Sequence, residues 1–217
     1  MLRLKFDSGQ QGLKRVMCLG AHCDDIEIGC GGSILRLIEE RPDLEFCWVV
    51  FASDEKRKQE GAASAKLFLA GARESRVVFH SFRDGFFPYI GGDIKEIFLK
   101  LEKEFCPDLI FTHYSRDLHQ DHRLISELTW NSFRNHVILE YEILKYDGDL
   151  GSPSLFIPLE PPICHKKVQY LLEAFKSQQG RHWFTEDLFL SLLRIRGVEA
   201  QSASQYAEAF YCRKLQI

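Results

Sequence analysis

Two groups of ionisable side chains stand close enough in sequence to build a reaction centre. His22, Asp24 and Asp25 fall within four residues, and His113, Asp117, His119, Asp121 and His122 fall within ten. Two histidines and a carboxylate, with a fourth position left open, are a recognised catalytic zinc arrangement. His22, Asp25 and His122 supply that set. Asp24 neighbours a ligand without being needed as one. It is free to act as general base on a metal-bound water, whose pKa falls to about 7. His119 is then left to stabilise an oxyanion or to protonate a leaving amine. Asp121 either orients His119 or supports the ligand shell by hydrogen bonding. His119 and His122 stand three apart and so share one side of a helix. Asp117-x-x-Gln120 reads as a capping-box variant that opens that helix.

Both groups sit where an α/β sheet would place them. Val16-Met17-Cys18-Leu19 is a short apolar run ending in Gly20-Ala21, and an apolar helical pattern resumes after Gly32. That is strand, polar turn and helix, with the first group at the carboxyl end of the strand, where ligands collect in open α/β sheets. The second group follows the apolar run 108–112 in the same way. Strands are expected over 15–19, 44–52, 76–79, 108–112, 141–146 and 154–157, and the tail 206–215 returns as strand or loop. Helices are expected from the first polar turn to Glu40, from Ser53-Asp54-Glu55 to Ala70 with Gly71 as cap, over 93–105, up to Asn135, and over 165–178 and 185–196. Alternating strands and helices predict a mostly parallel sheet with helices on both faces. Neighbouring parallel strands bring their carboxyl-end loops together, so the two groups can meet in one site.

The chain-wide figures exclude several classes. Its 217 residues suit one α/β domain spanning 1–217, and 45% hydrophobic with 27% charged residues is ordinary for a soluble protein. A net charge of −3 offers no basic surface for nucleic acid. No apolar run approaches the roughly 18 to 20 residues of a membrane span, and the polar lead-in over 1–14 lacks the apolar region of a signal peptide. Seven scattered cysteines without a C-x-x-C pair predict reduced thiols in a cytoplasmic setting.

The motifs resemble those of a known family. Ala21-His22-Cys23-Asp24-Asp25 with Glu27 looks like the A-H-P-D-D-E signature of the PIG-L/LmbE zinc-dependent N-deacetylases, and His119-Gln120-Asp121-His122 resembles their H-x-D-H motif. The resemblance implies a Rossmann-like three-layer sandwich with the site at strand carboxyl ends. It implies removal of acetyl groups from N-acetylglucosamine-type sugars and related amides. By position, His22, Asp25 and His122 match the metal ligands, Asp24 the base and His119 the transition-state stabiliser. Arg57-x-x-Glu60 resembles an element whose arginine binds substrate, and Arg196-Gly197 with Ala207-Glu208-Ala209-Phe210 matches the family's tail pattern. Relatives often self-associate. Cys23 replaces the usual proline, and Ile26 displaces the following acid by one place, so Glu27 is given no ligand role.

Plainer roles exist for each feature. Paired aspartates after a strand often only cap a helix. His113 and Asp117 suit either support of the site or capping, and Glu27 either support or a solvated turn. Lys56-Arg57-Lys58 also suits a solvated helix face. Gly29, Gly31 and Gly32 do not complete a dinucleotide fingerprint and are expected to allow close approach of loop, metal and helix. Phe82, Phe86, Phe87 and Tyr89 either line a sugar pocket or pack on the core. Cys18, Cys30 and Cys47 are expected to be inert core thiols, and His80, His136, His165 and His182 structural. Other reactions remain open: hydrolysis of another small amide or thiol conjugate, or a nucleotide-sugar-binding domain with incidental histidines. A two-histidine, one-carboxylate set also accepts iron and other divalent ions. Substrate specificity is expected in the loop 80–92 and the segment 147–181.

Overall fold

The computed structural model describes residues 12–215, so most of the lead-in expected over 1–14 lies outside the described residues. Seven strands form one sheet: β1 Arg15–Gly20, β2 Glu45–Val50, β3 Glu74–Phe79, β4 Leu109–His113, β5 Val137–Tyr141, β6 Leu155–Pro158 and β7 Ala207–Tyr211. Their spatial order is β3-β2-β1-β4-β5-β7-β6. The first five run parallel, and β7 is antiparallel to both β5 and β6. Chain order reverses between β1 and β4, and the crevice at such a switch point is where doubly wound sheets hold ligands.

Side chains alternate along β1, and the alternation feeds two cores. Val16 and Cys18 pack with one helical layer, while Met17 and Leu19 pack with the other. The first layer contains α1 (Asp25–Glu40), α2 (Glu55–Phe68), α5 (Pro161–Ala174) and α6 (Glu186–Glu199), through residues such as Ile34, Phe68, Val168 and Leu193. The second contains α3 (Gly91–Glu104) and α4 (Gln120–Ser132), through Ile94, Phe98 and Ile125. A mostly parallel sheet with helices on both faces is therefore what the chain builds.

Helix α1 lies against the sheet so closely that its glycines are required. A Cβ on Gly29 would come within 2.1 Å of the Tyr141 ring, and one on Gly31 within 2.6 Å of Phe68. The glycines thus serve helix packing rather than approach to a metal. Glu208 of β7 accepts from Gly32 N (2.8 Å) and Ser33 N (2.7 Å), midway along α1. Lys167 of α5 donates to both Glu208 Oε1 (2.6 Å) and Ile28 O (2.7 Å). This buried ion pair locks the tail motif onto the helix that starts at the first site motif.

Several boundaries differ from expectation for identifiable reasons. The strand expected over 141–146 is Val137–Tyr141, because the apolar Val137-Ile138-Leu139 pairs with β4 in register while Glu142 turns away to bind Arg196. Helix α5 begins at Pro161 rather than near His165, since a proline's fixed φ fits a first helical turn. The expected capping box at Asp117 and Gln120 does not form. His119 is the N-cap of α4, Asp117 accepts from His119 N (2.7 Å), and Gln120 Nε2 donates to Gly85 O instead.

Candidate active site

The carboxyl end of β1 delivers His22, Asp24 and Asp25, and the end of β4 with the start of α4 delivers His113, Asp117, His119, Asp121 and His122. The turn is drawn together by His22 N, which donates to Asp25 Oδ2 (2.7 Å). His113 closes strand β4 rather than opening the loop, and its Nε2 accepts from Ala21 N (2.9 Å), tying the two strand ends together. Tyr141, at the end of β5, donates to Leu19 O (2.6 Å) and backs the same junction.

His22, Asp25 and His122 meet. His22 Nδ1 lies 3.2 Å from His122 Nε2 and 3.4 Å from Asp25 Oδ2, and His122 Nε2 lies 3.6 Å from Asp25 Oδ1. Metal–nitrogen bonds of about 2.0–2.1 Å put the ligand atoms of a tetrahedral ion about 3.4 Å apart, and these pairwise separations, taken to one or the other Asp25 oxygen, are of that size. The outer nitrogens are already anchored. His122 Nδ1 is 2.9 Å from Asp117 Oδ2, and His22 Nε2 is 3.0 Å from Asp84 Oδ1 and 3.3 Å from Asp121 Oδ2. Carboxylates on the outer nitrogens draw the ring protons outward and turn the bare nitrogens towards each other, as metal-ligating histidines require.

Two other donor groups, His22–Asp84–His119 and His113–Asp117–His122, also converge within 4.8 Å. In the second, His122 Nδ1 and Asp117 are already bonded to one another, and His113 Nε2 is bonded to Ala21 N. In the first, Asp84 is exposed and His119 Nδ1 accepts from Asp121 N (3.3 Å). The His22–Asp25–His122 set fits a divalent ion best.

Burial would lower His22, but the carboxylates of Asp121, Asp25 and Asp84 around it raise it well above its ordinary value. Burial alone would raise the Asp25 carboxyl, but His122, His113 and His22 hold it well below the usual carboxylate range. Burial and the neighbouring His113 lower His122 to about 4, so its imidazole is neutral. Burial and His22 lower His119 as well. Burial pushes Asp24 up to about 7, although the Arg57 guanidinium is 2.8 Å from its Oδ2. Asp24 precedes α1 with φ at +141°, a left-handed conformation unusual outside glycine, and its side chain makes no capping bond. The helix-cap role for Asp24 is thereby excluded. Burial also pushes Glu27 up to about 8, and it belongs to none of the three donor groups among the described residues.

Asp121 bonds to His22 rather than placing its carboxylate on His119. It also accepts from Gly85 N (2.7 Å) and Phe87 N (3.1 Å), and so fixes the loop after β3 over the site. Asp117 fills both roles open to it, capping His119 N and holding His122. Lys145, beyond β5, reaches Asp117 Oδ2 at 3.0 Å. Of the aromatics in the loop, Phe87 is buried in the core, while Phe86 and Tyr89 face solvent. Cys30 and Cys47 are buried thiols whose pKa burial raises, as inert core residues should show.

Sequence reasoning missed Asp84, Lys145 and Ser177. Asp84-Gly85 is a lone carboxylate and turn residue in a strand-end loop, which was the available signal. Lys145 and Ser177 had none.

Fold and site together define an α/β protein with a cluster of histidines and carboxylates at the switch point of a mostly parallel sheet. The chain belongs to the PIG-L family, whose model, described as GlcNAc-PI de-N-acetylase, matches residues 17–133, more than half of its length. N,N'-diacetylchitobiose deacetylase from Pyrococcus horikoshii is 20% identical with a TM-score of 0.70, over 96% of this chain and 86% of that one. A 4-carboxy-2-hydroxymuconate hydratase from Pseudomonas putida KT2440 is 16% identical, TM-score 0.68, over 94% and 98%. The zinc-inhibited form of teicoplanin deacetylase is 14% identical, TM-score 0.67, over 92% and 97%. At these identities the likeness shows the fold alone.

Proposed function

We propose that this chain, as one catalytic domain, is a metal-dependent hydrolase that removes the N-acetyl group from an amino sugar or amino-sugar conjugate such as an N-acetylglucosaminide. The observation that carries this is the His22–Asp25–His122 triangle beside the buried, unligated Asp24. Family membership supports it, as do the deacetylases among the similar structures. His22 Nδ1, Asp25 and His122 Nε2 would hold a divalent ion, with zinc as the proposed one. Such an ion supplies Lewis-acid polarisation of the amide carbonyl and lowers the pKa of water.

The side chains divide the remaining work. Asp24 takes a proton from the attacking water, a task suited to a carboxyl poised near neutral pH. His119 Nδ1 accepts from Asp121 N, so its proton sits on Nε2 and offers a donor to the developing oxyanion. Asp121 and Asp117 orient His22 and His122. As the C–N bond breaks, the proton held by Asp24 passes to the departing amine, giving acetate and a free amino sugar.

The proposed partner is a small molecule, without nucleic acid or membrane, in a cytoplasmic setting, and copies of the chain are proposed to self-associate. The net charge of −3 supports the reading without nucleic acid, and the seven free cysteines support the cytoplasmic setting. Among the described residues no helix is long and apolar enough to cross a membrane. The test is acetate release from a panel of N-acetylated amino sugars and conjugates, with wild type beside Asp24→Ala. Release by wild type alone is expected. Metal binding without release from any member of the panel would remove the deacetylase reading and direct attention to water addition, the chemistry named for the similar hydratase.

A further inference from the structure

The guanidinium of Arg57 is committed to the protein. Nη2 bonds Asp24 Oδ2 (2.8 Å) and Cys23 O, while Nη1 bonds Glu60 Oε2 (3.1 Å) and Ser177 Oγ (3.2 Å). Four of the five N–H groups of an arginine are matched in this way. Its plane carbon lies 5.0 Å from the centre of the Phe175 ring, and the side chain is 17% exposed. An arginine kept for substrate would present open donors to the site.

Its far partners form a closed set. Ser177, on the short 3-10 turn Lys176–Gln178 after α5, donates its backbone N to Glu60 Oε1 (2.8 Å) and its hydroxyl to Glu60 Oε2 (2.5 Å). The same hydroxyl accepts from Arg57 Nη1 and from Gln178 Nε2 (3.0 Å). A serine hydroxyl has one donor and two acceptor positions, so all are used. The near partners are the two residues of the strained turn, Cys23 through its carbonyl and Asp24 through its carboxylate. A positive φ at a non-glycine residue is unfavourable and persists only where its surroundings over-determine it. Arg57 supplies that constraint from one side.

We propose that Arg57 is a positioning residue for the base Asp24, held in register by a latch made of Glu60 and Ser177, and not a substrate-binding residue. This rests on the reading of Asp24 as the base. Ser177 and Phe175 lie outside the stretch 17–133 matched by the family model, whereas Arg57 and Glu60 lie within it, so the latch joins the two parts of the chain. It couples the turn after α5 to the base through a bifunctional arginine fork, a role lysine cannot fill because it lacks the planar fork.

The test compares wild type with Ser177→Ala, Glu60→Gln and Arg57→Lys by kinetics and by crystal structures of the variants. A misplacement of about 1 Å can cost about 10²-fold in rate. Arg57→Lys is therefore expected to lower kcat by about that factor and the latch variants by about tenfold, all with KM within about twofold. The Asp24 carboxylate is expected to take more than one orientation in Ser177→Ala. A rise in KM with kcat preserved in Arg57→Lys would show substrate binding and overturn the proposal. An unmoved Asp24 carboxylate in the Ser177→Ala and Glu60→Gln structures overturns it whatever the activity. If wild type releases no acetate while Asp24 moves in those structures, the latch stands and the deacetylase reading falls. Should Arg57→Lys fail to fold, the two latch variants carry the test.

Discussion

His122 Nδ1 lies 2.9 Å from Asp117 Oδ2, and this contact points the opposite nitrogen of His122 at His22 and Asp25. The proposed ligand His122 is therefore held from outside, by a carboxylate that also caps the backbone at His119 and lies 3.0 Å from Lys145 Nζ. Removing this carboxylate without removing a ligand tests whether the triangle is a metal site. Outer partners of this kind typically affect metal affinity by about 10- to 100-fold. Asp117→Asn is expected to weaken binding of a divalent ion by that amount, read by competition with a chromogenic chelator. Unchanged affinity would mean that His122 is oriented by something else.

In the proposed mechanism Asp24 is the base and not a ligand, though it is adjacent to Asp25 in sequence. Asp24→Ala is expected to bind one divalent ion per chain as wild type does and to lose about 10²- to 10⁴-fold in kcat, the usual contribution of a general base. Metal content by mass spectrometry and initial rates of acetate release give both numbers. Loss of the metal together with the rate would make Asp24 a ligand instead.

The Glu60 latch carries a pH signature in stability. Burial pushes the Glu60 carboxyl up, but Ser177 and Arg57 outweigh it and hold the group below its ordinary value of 4.5. A carboxyl depressed in the folded state stabilises the fold fully above its unfolded pKa, and that contribution is lost as pH falls through the folded value. The Tm difference between wild type and Glu60→Gln is expected to stay constant from neutral pH down to about 4.5 and to close below it. A difference independent of pH would show that the glutamate matters by shape alone.

Two helical glycines, Gly29 in α1 and Gly92 in α3, give predictions of opposite sign. In Gly29→Ala the new Cβ meets the Tyr141 ring at 2.1 Å, and Tyr141 is held by its bond to Leu19 O. Overpacking of this kind costs about 1–3 kcal/mol. A Cβ at Gly92, in the first turn of α3, meets nothing within 4 Å, so Gly92→Ala is expected to stabilise by up to about 1 kcal/mol through helix propensity. Urea denaturation of the two variants reads both signs. Equal effects would mean that α1 shifts freely over the sheet.

Much of the site was legible in the sequence because its chemistry is local. His22 with Asp25, and His119 with His122, are fixed by spacing on a turn and on one helical turn, and the continuous apolar run of β1, buried on both faces, makes that strand readable. Asp24, His119 and Asp121 stand beside those ligands, as spacing alone suggests. What distance in sequence hides is the direction in which a side chain looks. Arg57 is in the expected place, yet its partners Asp24 and Ser177 lie 33 and 120 residues away. No local pattern records such a pairing. Asp84 reaches His22 only because Asp121 folds the loop after β3 over the site. The strand misplaced to 141–146 has a similar cause. Tyr141-Glu142-Ile143 alternates like a strand, but Glu142 is drawn out of the sheet by Arg196 and Tyr211, contacts from the far end of the chain.

In the proposed mechanism acetate release depends on an ion held by His22, Asp25 and His122. The direct measurement follows acetate release from an N-acetylglucosaminide by the protein as purified, after chelation, and after stoichiometric return of zinc, with His122→Ala in parallel. Release is expected to disappear on chelation and to return with about one zinc per chain, with no zinc-dependent rate in His122→Ala. Undiminished release from the chelated, metal-free protein would contradict that mechanism.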